Sequence, residues 1–294
     1  ALSPSRGPVR GGTLISVSQS GTGGDYNGVY CVFGASEVAA AAAETGGYTC
    51  VVPAAVGAGS VTVSVVEGMS RRKISTDLAY EYYGNAAVGG LMPSSGVLSG
   101  GTVVIVIGSG FTGSDAACQF GTTVVGVEQT RILSSTAMSC VSPSATSAGG
   151  VSLEVSLNGG ADFTDDGINF VYGAGASVSE VMPSRGSSGV EGKVVTVIGS
   201  DFLQGSDLSC RFGAQGSVSA LWESSTRVLC SAPSRGAGSV RVDVSNNGAD
   251  WSVDGGRFVY DVSDGVWSLS PSRGPLQGGT RVVVSQTGAS ATYS

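Results

Sequence analysis

Residues 210–260 read CRFGAQGSVSALWESSTRVLCSAPSRGAGSVRVDVSNNGADWSVDGGRFVY, and residues 118–172 say nearly the same thing: CQFGTTVVGVEQTRILSSTAMSCVSPSATSAGGVSLEVSLNGGADFTDDGINFVY. A looser version runs from Cys31 to Tyr82. With the cysteines in register the period follows, since Cys50 to Cys140 and Cys140 to Cys230 each span 90 residues. That is too long for a solenoid turn or a propeller blade and fits a small β-sandwich. The chain therefore reads as an array of domains, at residues 1–84, 85–173 and 174–260, with a partial fourth at 261–294.

Working outward, each copy opens on a Pro-Ser turn, then glycines, then a β-branched run, as in SPSRGPVRGGTLISV and MPSSGVLSGGTVVIV. Proline sets the turn and glycine lets the backbone reverse, so the Val and Ile residues begin a strand. A short strand carries the first cysteine, with Phe33, Phe120 or Phe212 two residues on and hence on the same face. Pro53, Pro143 and Pro233 follow the second cysteine and end its strand. Next comes strict alternation: Val61, Val63 and Val65; Val151, Leu153, Val155 and Leu157; Val240, Val242 and Val244. Thr62, Ser64, Glu154, Arg241 and Asp243 take the opposite face, which predicts an antiparallel sheet with one side wet. Asn-Gly steps then predict a turn in copies two and three. The last strand ends in Tyr80 and Tyr82, Phe170 and Tyr172, or Phe258 and Tyr260. No segment has helical periodicity, and the alanine run at residues 39–43 is read as strand because the other copies have TVVGVEQ and SVSALWE there.

Composition narrows the function. Charged residues are 13% of the chain, about half the ~25% usual for soluble proteins. Ser, Thr and Gly must cover the surface, which suits packing against neighbours or carrying sugar, and suits equally a plain Ser/Thr-coated domain. The net charge of -7 argues against nucleic acid and anionic membranes, because phosphate binding needs clustered cations. Arg71, Arg72 and Lys73 form the one basic cluster and read as a solvated loop. No apolar run is long enough to span a bilayer.

Six cysteines, two per complete copy, predict one disulfide inside each domain: Cys31 with Cys50, Cys118 with Cys140 and Cys210 with Cys230. This implies an oxidising, extracellular setting. Each bridge should stabilise its domain by about 3 kcal/mol in the chain-entropy model. Zinc would be short of ligands, with two cysteines per domain and no histidine in the chain.

The order Pro-x-x-Gly, Gly-Gly-Thr, Val-rich strand, Gly-x-x-Phe, Cys-x-Phe-Gly, Cys-x-x-Pro, Val-x-Val and Phe-x-Tyr resembles the IPT/TIG domain. This is the immunoglobulin-like module of plexins and related receptors, and similar arrays occur in fibrocystin-type surface proteins and in algal mastigonemes. The resemblance covers essentially the whole chain and implies an all-β, early-set immunoglobulin-like array, elongated and extracellular. Copy one departs from it, lacking the Asn-Gly turn and carrying GTGGDYNG before its first cysteine.

Candidate chemistry is sparse. Residues 108–113, GSGFTG, form a Gly-x-Gly-x-x-Gly after a strand, with Glu128 twenty residues on. A dinucleotide site needs a helix to follow, whereas SDAACQFG is a strand, so the motif reads as a family turn and no cofactor is expected. No general-base histidine and no nucleophile elbow exist, so no enzyme is expected. Asp162, Asp165, Asp166, Asp250 and Asp254 read as solvated loop residues; calcium is their functional alternative, although their spacing matches no EF-hand. No Asn-x-Ser/Thr sequon occurs, so any sugar would be O-linked, with Ser3, Pro4, Ser142, Pro143, Ser270 and Pro271 as candidates. Short links without a flexible spacer favour a stiff rod. Residues 2–21 match 269–288 at 14 of 20 positions and 91–110 at 10 of 20, which hints at a higher-order repeat of three domains. The function expected is a structural repeat of an extracellular fibre or appendage that associates with itself or with neighbouring repeats. The alternative is a receptor or adhesin ectodomain that binds protein or glycan through its loops.

Overall fold

The computed structural model describes residues 1–18, 28–43, 46–68, 70–214, 216–262 and 266–287. Every regular element among them is a strand. Two compact units divide the chain, Ala1–Ala174 and Gly175–Ser294. The first unit contains two sandwiches and the second contains one sandwich followed by a two-stranded hairpin.

The second sandwich shows the plan. One sheet orders Ala87–Met92, Val103–Ser109, Ala137–Val141 and Thr130–Ser134, all antiparallel. The other orders Ser95–Val97, Ile168–Gly173, Gly149–Ser156, Ala117–Phe120 and Thr123–Val125. Its first pair is parallel, because the opening segment switches sheets at the cis Met92-Pro93 peptide. The strand in the first sheet ends before that proline and the next residues pair in the second, so one segment serves both layers.

The alternation sets the core. Val104, Val106, Met138 and Cys140 face inward from one sheet, and Cys118, Phe120, Leu153, Val155, Phe170 and Tyr172 from the other. Phe120 and Phe170 meet edge to face at 5.2 Å, and Phe170 and Tyr172 at 5.1 Å. Such pairs contribute about 0.5–1.5 kcal/mol beyond their buried area. The Cys118–Cys140 bridge joins the two layers through this core, as Cys31–Cys50 and Cys210–Cys230 do in the first and third sandwiches. No cysteine is left free. At the end of the last strand the Tyr82 hydroxyl donates to the Pro53 carbonyl and the Tyr172 hydroxyl to the Pro143 carbonyl, both at 2.9 Å. Pro53 and Pro143 thus end a strand and also receive the tyrosine.

The alanine run is strand, with Ala39 closing Ser36–Ala39 and Ala41–Ala42 pairing to Tyr48–Val51. The GTGGDYNG segment lies outside the described residues apart from its last glycine. One expectation needs correcting. Glu154 and Asp243, assigned to the wet face of their strands, are buried at 8% and 4% exposure. The chain after each turn folds back over that face: Glu154 accepts from the Thr164 hydroxyl at 2.5 Å, the Asp166 amide at 3.1 Å and the Gly167 amide at 2.7 Å. Asp243 is held by Arg211 at 2.9 Å and Arg241 at 2.5 Å. Burying a carboxylate is costly unless it is hydrogen-bonded or paired, and these are.

Candidate functional site at the seam of the first unit

The only polar cluster that joins separate domains within the first unit, among the described residues, lies where the opening turn of the first sandwich meets the top loops of the second. From the first domain come Arg6, Arg10 and Thr13, all in PSRGPVRGGT. Gly7 lies so close over Tyr80 and Thr13 that a Cβ there would overlap both, which draws the turn down onto the core. Thr13 is thereby fully buried, with its hydroxyl aimed out of the end of the sandwich.

The second domain presents a pre-formed clasp. The Ser156 hydroxyl donates to Asn158 Oδ1 at 2.9 Å, the Asp162 amide donates to the same oxygen at 3.0 Å, and Asn158 Nδ2 donates to Asp162 Oδ2 at 2.7 Å. Carboxamide and carboxylate are thus held side by side by their own loop. The third domain builds the same clasp from Ser245, Asn247 and Asp250, with the Asp250 amide donating to Asn247 Oδ1 at 2.8 Å and Asn247 Nδ2 to Asp250 Oδ2 at 2.8 Å.

At the seam, Thr13 donates to Asp162 Oδ2 at 2.7 Å, Asn158 Nδ2 donates to the Arg6 carbonyl at 3.2 Å, and an Arg10 guanidinium nitrogen donates to the Phe163 carbonyl at 2.8 Å. Arg6 lies over the Tyr83 ring at 4.9 Å and within 3.7 Å of Glu81, with only 13% of its side chain exposed. Its guanidinium packs directly on Gly113, where φ is +101° and a Cβ would occupy the space of the guanidinium. The last glycine of the Gly-x-Gly-x-x-Gly motif is therefore the floor for a neighbouring arginine. The void beside these groups, lined by Arg10, Tyr83, Asn85, Asp162 and Phe163, is about 20 Å³, room for about one water.

Burial pushes the Tyr83 phenol well up, with the Asp162 charge adding to the shift and Arg6 partly offsetting it. Burial also pushes Tyr80 up to about 12, less what the neighbouring Thr13 hydroxyl takes back. Neither phenol is a base or nucleophile near neutral pH. The arrangement binds one domain to the next.

Asp165, Asp166 and Asp254 are exposed, as expected of solvated loop residues, and two of them also cap backbone. Asp166 accepts the Val88 amide at 2.7 Å, and Asp254 accepts the Ser177 hydroxyl at 2.5 Å and the Val178 amide at 3.0 Å. These bonds, the Ser177 hydroxyl foremost, hold the Asp254 carboxyl below the usual carboxylate range. No three His, Cys, Asp or Glu side chains group as metal ligands among the described residues. Arg71 pairs with Glu37 at 2.5 Å, Arg72 with Glu67 at 3.5 Å, and Lys73 with Asp77. Of the sugar candidates, Ser3, Ser270 and Pro271 are exposed and Pro4 and Pro143 half-buried, but Ser142 is buried, its hydroxyl accepting the Thr102 amide at 3.2 Å, which leaves no room for a sugar there. Sequence reasoning missed the clasp, whose signal is the shared Ser-x-Asn followed three or four residues later by Asp in SLNGGAD and SNNGAD.

Comparison with known proteins gives the fold a family. No curated protein matches the sequence. Among solved structures, the plexin A4 full extracellular region is 16% identical with a TM-score of 0.46, over 94% of this chain and 26% of that one. The SGBP-B protein of the Bacteroides ovatus mixed-linkage glucan utilization locus, solved with a mixed-linkage heptasaccharide, is 14% identical with a TM-score of 0.27, over 87% and 66%. Invasin, a bacterial integrin-binding protein, is 12% identical with a TM-score of 0.24, over 92% and 60%. This chain thus spans about a quarter of the plexin it matches. The IPT/TIG domain model matches residues 1–82, 87–172 and 176–260, one match to each sandwich, and the chain belongs to the IPT/TIG family.

Proposed function

We propose that this chain is a non-enzymatic structural segment of an extracellular fibre or surface appendage, in which tandem IPT/TIG domains supply length and the junctions between them fix direction. The observation that carries the reading is the seam of the first unit: buried Thr13 and Asn158 and half-buried Asp162 are spent on a domain junction. A loop used this way is not available to grip a ligand, and a junction closed to about one water resists bending. Three disulfides in 294 residues accord with an oxidising, extracellular location. The outer face of the second domain's four-stranded sheet supports lateral self-association, since Met92, Val103, Ile107 and Leu133 stand 46–64% exposed there. Apolar residues gathered on one sheet face mark contact surfaces. O-linked sugar at exposed Ser3 and Ser270 is part of the proposal, and intact mass equal to the sequence mass would reject that part.

Electron microscopy of the purified protein over a concentration series tests the main reading. Regular fibres that disperse when Val103 and Ile107 are changed to Lys are expected. Short monodisperse rods at every concentration would overturn it in favour of a receptor or adhesin stalk.

A further inference from the structure

The turn at residues 271–280 repeats the one that receives the clasp. PSRGPLQGGT matches PSRGPVRGGT of residues 4–13 at 8 of 10 positions, with Arg273 and Thr280 standing where Arg6 and Thr13 stand. The conformation matches as well. Leu269 pairs with Val284 and Ser270 with Val283, as Leu2 pairs with Val17 and Ser3 with Ser16. The Gly278 amide donates to the Pro275 carbonyl at 2.9 Å, as the Gly11 amide does to the Pro8 carbonyl at 2.9 Å. Gly278 and Gly279 have φ of 76° and 80°, against 74° and 91° at Gly11 and Gly12. Gly274 lies tight over Thr280, as Gly7 does over Thr13.

The second domain builds the same turn conformation at residues 93–102, with Gly100 and Gly101 at φ of 73° and 86° and Gly96 tight over Thr102, so the side chains and not the backbone distinguish 271–280: Arg273 matches Arg6 where the second domain has Ser95. In the third domain Val195 pairs with Cys230 as Ile15 pairs with Cys50, which puts Lys193 at the position of Thr13, after a turn one residue longer. Residues 271–280 share with residues 4–13 a threonine hydroxyl for a carboxylate, which the second domain also has at Thr102, and two features the second domain lacks: an arginine whose carbonyl takes the carboxamide, and at position 277 a glutamine that keeps a side-chain N–H donor where Arg10 serves the Phe163 carbonyl and the second domain has Ser99. They line an open groove of about 400 Å³ in which Arg273 is exposed.

We propose that residues 271–280 are a second docking socket, and that its occupant is the top loop of another IPT/TIG domain carrying Ser-x-Asn followed three or four residues later by Asp. The clasp is the one structure described that presents carboxamide and carboxylate together at 2.7–2.8 Å, and it does so in two separate domains. This socket does not depend on whether the array is a fibre or a stalk.

The two turns differ only at positions 9 and 10, so Val9→Leu with Arg10→Gln writes the 271–280 sequence into the working seam of the intact chain. Hydrogen exchange at the Gly160 and Asp162 amides reads the seam, and exchange at Val106 and Leu153 reads the fold of the domain. The double variant should stay within about threefold of the natural chain, while Thr13→Ala and the milder Asp162→Asn each speed exchange by about tenfold or more with the core amides unchanged. Should the double variant speed exchange as much as Thr13→Ala, the 271–280 sequence cannot hold a clasp and the proposal fails. It fails equally if neither Thr13→Ala nor Asp162→Asn speeds exchange, because the recognition chemistry would then be wrong.

Discussion

Gly113→Ala gives the seam a quantitative test. Two separate costs are expected. Residue 113 has φ of +101°, which an alanine tolerates poorly at a cost of about 1–2 kcal/mol. The new Cβ also falls where the Arg6 guanidinium lies, so Arg6 must leave the Tyr83 ring it covers at 4.9 Å. A cation–π contact this buried contributes about 1–2 kcal/mol. The substitution should therefore cost roughly 2–4 kcal/mol, of which only the backbone part belongs to the second domain alone. Urea unfolding followed by circular dichroism on the natural chain, Gly113→Ala, Arg6→Ala and the double variant separates the two parts. In the Arg6→Ala background the clash is already gone, so the double variant should be more stable than the sum of the single costs implies, by about 1–2 kcal/mol. Costs that add to within about 0.5 kcal/mol would refute the seam as drawn, because they would mean that Arg6 and Gly113 do not touch in solution.

Other outcomes follow from the same geometry. Cys118→Ser with Cys140→Ser should lower the stability of the second domain by about 3 kcal/mol in urea unfolding, since it frees a loop with a sequence separation of 22 residues. Glu154→Ala strands three donors and should cost about 2–4 kcal/mol, with faster hydrogen exchange at the Asp166 and Gly167 amides. Tyr172→Phe should cost about 1 kcal/mol by losing the bond to Pro143, whereas Tyr260→Phe should be neutral or stabilising, because the Tyr260 hydroxyl is buried without a partner. The Asp254 carboxyl titrates lower in the folded chain than in the unfolded one, so its contribution is present above pH ~4 and is lost as the pH falls through its folded pKa; Asp254→Asn should flatten that acid limb for the third domain. Tyr80 has the opposite sign. Its neutral form is favoured on folding, so its contribution is intact below pH ~10 and lost as the pH rises through about 12, and phenolate absorbance from it should appear only with unfolding of the first domain.

The sandwiches were legible in the sequence because everything that defines them is local or repeated. Val151, Leu153 and Val155 announce a strand by their own spacing, Pro143 announces its neighbour's end, and the second cysteine of each pair recurs every 90 residues. The seam was not legible, because its central bond joins Thr13 to Asp162 across 149 residues and neither residue looks unusual in its own copy. Asn158 read as half of an Asn-Gly turn, although its side chain organises the loop that the turn only begins. Asp162 read as solvated for the same reason. Alternation says which way a strand residue points but not whether a later loop returns to cover it, and that return is what buried Glu154.

That difference bears on how such an array can be specified at all. In a chain with 13% charged residues, few ionic groups are available to tell one domain end from another. Here the task falls to a short polar signature at the top of a domain and a short turn at the bottom of its neighbour, each held rigid by its own domain before they meet. Pre-ordering both halves lowers the entropy lost on docking, so three hydrogen bonds and one covered arginine suffice where floppy loops would need more. It also makes the junction directional, because Arg6 and Thr13 belong to the turn that opens a sandwich while Asn158 and Asp162 belong to the opposite end of the next. A junction of that kind joins unlike faces, and a contact between unlike faces can be repeated from one domain to the next, in an open line or a closed ring according to the rotation at each step.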